Sequence, residues 1–348
     1  MKPLMSIKNL HVHYKNKNSL LHALRGITLD ITEGECLAIV GESGCGKSTL
    51  VKACMGLLGR NAKITSGNIL CDQYDIAQFN NDKDWERANL RGRRIAMVMQ
   101  NPMNSLNPIY SVGKQISESF LYSKGISRRK SKPQVFSMLR DAGFDNPEII
   151  YNQYPGQLSG GMNQRIAITM AVACSPKILF CDECTSSLDV TTQASVLDYI
   201  RQLQKRHGMA IVLVTHDMGI VAKMADRVGV MYAGELVEIG TCREIFFDPR
   251  HPYTWSLFSA LPQISGAGEN NIMVKGTPPD LCHEIKGDAF AARNPYTVLE
   301  IDKEMSPPVF QISPTHSVRT WLADSRAPKV EPPKCLKNIK SLLPFWEE

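Results

Sequence analysis

The chain has 348 residues, 43% hydrophobic and 21% charged, with 40 basic against 34 acidic side chains and a formal net charge of +6. The length admits one large domain and a smaller one, because single cores seldom grow past about 250 to 300 residues. The composition is that of an ordinary globular protein, and the longest apolar runs, such as Met209 to Val214, fall far short of the roughly 20 residues that cross a bilayer.

The N-terminal stretch MKPLMSIKNLHVHY has no continuous apolar core, so a secretory leader is not expected and a cytoplasmic setting is. Residues 5–34 alternate apolar and polar positions in short bursts, which predicts two or three strands of an antiparallel patch. Tyr14 closes the first burst. It is either a plain surface or core tyrosine or, if the patch covers a nucleotide, a flat π face for an adenine ring. Leu37 to Val40 reads as a buried strand. It empties into Gly41-Glu42-Ser43-Gly44-Cys45-Gly46-Lys47-Ser48, which fits G-x-x-x-x-G-K-[ST]. Such a loop turns backbone N–H groups inward, so Gly41, Ser43, Gly44, Cys45 and Gly46 are expected around nucleotide phosphates at a helix start. Lys47 suits the β and γ phosphates and Ser48 suits Mg2+, with Thr49 beside them. The helix is predicted over Ser48 to Leu58, ended by Gly59.

Strand character resumes at Ile64 to Leu70, a polar helix is predicted from Asn80 to Arg91, and Ile95 to Met99 reads as a buried strand that delivers Gln100 to its tip. Gln100 is there either as a strand-end cap or as a sensor able to meet Mg2+ or the attacking water. Residues 111–143 read as helices with an intervening basic turn at Arg128-Arg129-Lys130. Leu158-Ser159-Gly160-Gly161-Met162-Asn163-Gln164-Arg165 then forms a second anion-receiving turn at a helix start. Taken alone it is either a simple helix cap or an anion site, and it stands too far along the chain to serve the same phosphate easily, which suggests a nucleotide held by another subunit. Lys177 to Cys181 is a further buried strand, ending in Asp182, expected to hold Mg2+ through water, and Glu183, expected to act as general base toward the γ phosphate. Asp189 precedes a helix predicted from Gln193 to Lys205 and is a candidate for contact across a subunit boundary. Met209 to Val214 ends at Thr215-His216-Asp217, where His216 is either a core histidine or, at the strand tip, an imidazole that can donate to the γ phosphate. A hairpin is predicted about Ala233-Gly234.

Pro262 to Gly276 reads as a linker to a proline-rich tail in which no catalytic constellation is visible and His283 and His316 read as satisfied residues. Ten scattered cysteines suggest free thiols, and Cys181-x-x-Cys184 lacks the second pair of a structural zinc site. The basic groups carry no interleaved aromatics, so nucleic acid is not an expected partner.

Taken together, these motifs resemble the ATP-binding cassette ATPases, and more narrowly the D-type ATPase subunit of bacterial oligopeptide and dipeptide importers. Gly41 to Thr49 is similar to the Walker A loop, Ile178 to Glu183 to Walker B, Leu158 to Gln164 to the signature, Gln100 to the Q-loop, Asp189 to the D-loop, His216 to the H-loop and Tyr14 to the A-loop aromatic. The resemblance implies an α/β P-loop NTPase fold with antiparallel β and α-helical subdomains. The ATPase domain would span residues 1–262, its helical part about 101–170, with an extension over 263–348. ATP and Mg2+ are the implied ligands, and Ser159, Gly160, Gly161, Gln164 and Asp189 would complete the ATP site of a second cassette. Implied partners are a homologous F-type ATPase subunit as heterodimer mate, two integral membrane permease subunits and an extracellular peptide-binding protein. The implied location is the cytoplasmic side of the cell membrane. Many relatives carry four tail cysteines that hold an iron–sulfur cluster. The matching positions here are Asp288, Asn294, Ile301 and Thr320, so no cluster is expected. Alternatives are a dipeptide or nickel importer of the same family, and a soluble ABC ATPase acting on nucleic acid or ribosomes; a single cassette without a coiled-coil insertion speaks against the latter.

Overall fold

Three segments with almost no polar side chain, Cys36–Val40, Ile178–Asp182 and Ala210–Val214, can be stable strands only with both faces covered. They form the centre of the molecule. The computed structural model describes residues 2–16, 19–79, 81–260, 276–295, 300–333 and 336. Its elements are β1 (Met5–Lys15), β2 (Leu20–Ile31), β3 (Cys36–Val40), α1 (Lys47–Met55), β4 (Ala62–Cys71), β5 (Tyr74–Asp75), α2 (Asp82–Ala88), β6 (Ile95–Val98), α3 (Val112–Lys124), α4 (Arg128–Asp141), α5 (Pro147–Asn152), α6 (Gly160–Val172), β7 (Ile178–Asp182), α7 (Val190–His207), β8 (Ala210–Val214), α8 (Met218–Met224), β9 (Arg227–Tyr232), β10 (Glu235–Thr241), α9 (Cys242–Phe247) and α10 (Pro252–Ser259). A short helix, α11 (Glu300–Glu304), and the two-residue strands β11 (Phe310–Gln311) and β12 (Ser317–Val318) follow.

The main sheet has the order β11-β12-β10-β9-β3-β8-β7-β6, parallel from β9 to β6 and antiparallel beyond β9. A second, antiparallel sheet of order β2-β1-β4-β5 is the patch foreseen at the N-terminus, with one more hairpin. One core, with Leu24, Ile39, Leu50 and Phe180, fills the space between the two sheets. Another, with Ile116, Phe120, Leu139, Ile168 and Leu213, joins α3, α4 and α6 to the main sheet. Among the described residues no helix is long and apolar enough to cross a membrane.

Some element limits differ from the sequence expectation for identifiable reasons. Helix α1 stops at Met55, because Gly56 takes the left-handed conformation at φ +63 and the Leu57 N–H returns to the Lys52 carbonyl. The run Arg128-Arg129-Lys130 opens α4 instead of making a turn. Helix α7 starts at Val190, because the Asp189 carboxylate caps it.

The tail builds no sheet of its own among the described residues. Its β12 pairs with β10, and Phe290 is fully buried against Tyr232 and Tyr253. His316 is buried on Glu238 at 2.8 Å, and His283 is exposed beside Asp280. Of the expected linker, only Gly276 lies within the described residues.

Candidate nucleotide-hydrolysis site

Strands β3, β8, β7 and β6 are successive neighbours, so their carboxyl ends bring Gly41 to Ser48, His216, Asp182 with Glu183, and Gln100 to one side of the sheet. Ligands of open parallel sheets bind there. At Gly41 the backbone has φ +148, and a Cβ would lie 2.2 Å from the Met231 carbonyl oxygen, so glycine alone lets the loop leave β3 this close to β9. The loop then exposes Ser43, Gly44 and Ser48 and buries Cys45 and Lys47. The Lys47 Nζ donates to the carbonyls of Gly41 and Glu42, each at 2.8 Å, as a buried ammonium must. Cys45 packs beneath it, its thiol pushed up by burial against the pull of the Lys47 charge. Gly46 is the N-cap of α1.

Ser48 Oγ donates to Asp182 Oδ1 at 3.0 Å. Burial raises the Asp182 carboxyl, and the Ser48 hydroxyl opposes that rise. A hydroxyl and a carboxylate so close are the hard oxygen donors that Mg2+ takes, so the residues fit the ion. Glu183 follows at φ +50, its N–H bonded to the Val214 carbonyl at 3.0 Å and its Oε1 3.5 Å from His216 Nδ1. Gln100 reaches Ser186 Oγ at 3.1 Å, and that hydroxyl donates to the Glu183 carbonyl at 3.1 Å. Ser186 therefore links Gln100 to the Glu183 turn. Its one signal in the sequence is its place three residues after Glu183. Tyr14 stands with its hydroxyl 3.3 Å from Thr49 Oγ1, which brings the antiparallel layer to the start of α1.

The second turn has other supports. Ser159 caps α6 by accepting from the Met162 N–H at 3.3 Å, and a Cβ on Gly161 would lie 2.1 Å from Thr192 Cγ2 of α7. Asp189 accepts from Thr191 Oγ1 at 2.6 Å and from the Thr192 N–H at 3.0 Å, bonds that hold its carboxyl below the usual carboxylate range. Ser159, Gly160 and Asp189 are exposed. Gln164 is not: it is fully buried, with neither amide atom hydrogen-bonded among the described residues, which corrects the expectation that it reaches a nucleotide. It shares the inner face of α6 with Ile168, also fully buried, one turn later.

The fold and this constellation define an ATP-binding cassette of the P-loop NTPase class. Residues 24–186 match the ABC transporter family, and residues 237–300 match the oligopeptide/dipeptide transporter C-terminal region. The oligopeptide transport ATP-binding protein AmiE of Streptococcus pneumoniae is 44% identical over 97% of this chain and 94% of its own length. The dipeptide transport ATP-binding protein DppD of Lactococcus lactis is 44% identical over 99% and 97%. The chain belongs to this family of oligopeptide and dipeptide transport ATP-binding proteins, and it is an ATP-hydrolysing cassette subunit. Among solved structures, cbiO1 of Clostridium perfringens, part of an ABC transporter complex, is similar at a TM-score of 0.61 and 29% identity over 71% of this chain and 92% of that one. A dimeric ATP-binding cassette bound to ADP and Pi is similar at a TM-score of 0.58 and 28% identity over 69% and 99%. That structure corrects one expectation. The similar solved assemblies are dimers of an ABC cassette, and the homologous F-type ATPase subunit expected as the mate does not stand.

Proposed function

We propose that hydrolysis at this site energises oligopeptide uptake from the cytoplasmic face of the membrane. The substrate class is that in the names of the oligopeptide and dipeptide transport relatives. Lys47 and the N–H groups of the phosphate loop bind the triphosphate, Tyr14 receives the adenine, and Ser48 and Asp182 hold the metal, with Gln100 joining when its loop closes in. Mg2+ supplies charge neutralisation on the phosphate oxygens when bound. Glu183 takes the proton of the attacking water, and His216 keeps that carboxylate and the γ phosphate aligned. Ser159, Gly160, Gly161 and Asp189 of one cassette close over the nucleotide of another.

The observation that carries this reading is the 3.0 Å contact between Ser48 and Asp182 with Glu183 next in the chain and His216 beside it. The test is Glu183→Gln, which keeps the shape and removes the base. Turnover should fall by about 10²- to 10⁴-fold, the usual worth of a positioned base, with Mg2+-ATP affinity retained. Unchanged ATPase activity would end the assignment.

A further inference from the structure

The second residue of the phosphate loop is an acid. Glu42 brings a negative charge to a loop that receives a polyphosphate, where an unneutralised carboxylate opposes binding. The C-terminal extension neutralises it. Arg293 Nη1 meets Glu42 Oε2 at 2.9 Å and Arg293 Nη2 meets Oε1 at 3.1 Å, a bidentate pair in which the arginine side chain is 7% exposed. Arg293 Nη1 also donates to the Tyr232 hydroxyl at 3.2 Å, and the guanidinium carbon lies 5.7 Å from the centre of that ring. Tyr232 packs on Tyr253, and the Tyr253 hydroxyl accepts the Glu42 N–H at 2.8 Å. Glu42 is thus gripped at backbone and side chain, and its carbonyl is one of the two that hold Lys47.

We infer that Arg293 is a positioning residue of the ATP site that acts through Glu42: from a segment remote in sequence, it cancels the Glu42 charge beside the loop that presents Lys47. The inference rests on the nucleotide-site reading above. It is tested by titrating the full-length protein with Mg2+-ATP in wild type, Arg293→Met, Arg293→Lys, Glu42→Gln and the double variant Glu42→Gln/Arg293→Met, with thermal melts to verify folding. Arg293→Met should weaken ATP binding by on the order of tenfold, as for a close charge pair that loses one member. Arg293→Lys should recover only part, since lysine keeps the charge without the two-pronged fork. The double variant should return to within about threefold of wild type, because the stranded charge is gone. Wild-type affinity in folded Arg293→Met, or a double variant as weak as Arg293→Met, overturns the inference. Failure of the wild type to bind Mg2+-ATP would instead overturn the site reading beneath it.

Discussion

Glu183 sits in a left-handed backbone conformation that costs an L-residue about 1–2 kcal/mol, and the bond from its N–H to the Val214 carbonyl holds it there. The turn sets its carboxylate beside His216. Gly41 shows the opposite dependence, since its position tolerates no side chain at all. Gly41→Ala should lower thermal stability by about 2 kcal/mol or more and remove ATP binding, because the added methyl meets the Met231 carbonyl at 2.2 Å. A melt and a nucleotide titration check this, and a variant that binds normally would show that the loop can relax. The places of Asp182, Glu183 and His216 were legible in the sequence because they close or shortly follow a buried strand, and those of Lys47 and Ser48 because the glycine-rich run after β3 ends at a helix start. Gln164 was misjudged because a motif gives spacing along the chain but not the face of a helix. Ser186 was invisible because its contact depends on two strand tips being neighbours.

Buried strands announced themselves through unbroken apolar runs, whereas helix ends were set by single capping residues such as Gly56 and Asp189 that compete with equally plausible neighbours. The seam between α9 and the tail is a feature of this kind, built from small polar groups. Glu244 accepts from the Thr241 N–H and hydroxyl and from the hydroxyls of Ser313 and Thr315. Burial raises its carboxyl, but these donors outweigh that and lower it from 4.5 to about 2. With the folded value below the unfolded one, the protons are taken up by the unfolded chain first, so the stabilisation is full above 4.5 and is lost as pH falls toward about 2. Melting temperatures measured down this range should fall more steeply for wild type than for Glu244→Gln. Parallel curves would remove Glu244 as the cause.

For the whole molecule, the exposed turn at Ser159 and Gly160 is where the proposed closure of one cassette over the nucleotide of another can be tested. Gly160 is well suited to ask this, since a Cβ there comes no nearer than 3.9 Å to Leu188. Gly160→Asp should fold normally and bind Mg2+-ATP within one subunit, yet reduce turnover by about 100-fold or more, because a carboxylate would then face the phosphates of the other cassette. Unimpaired turnover would mean that sites are not shared in this way. The attachment of the tail to the main sheet was not legible in advance, because β11 and β12 are two residues each and owe their strand form to pairing with β10 and with each other.

That pairing changes what this edge of the sheet presents. A bare β10 would present a row of unpaired N–H and C=O groups beside Val237 and Ile239, a template onto which a strand from another molecule could add. With β12 in place the outermost strand is β11, two residues long and too short to recruit another chain. The same tail that meets Glu42 therefore also leaves a short strand at this edge of the sheet.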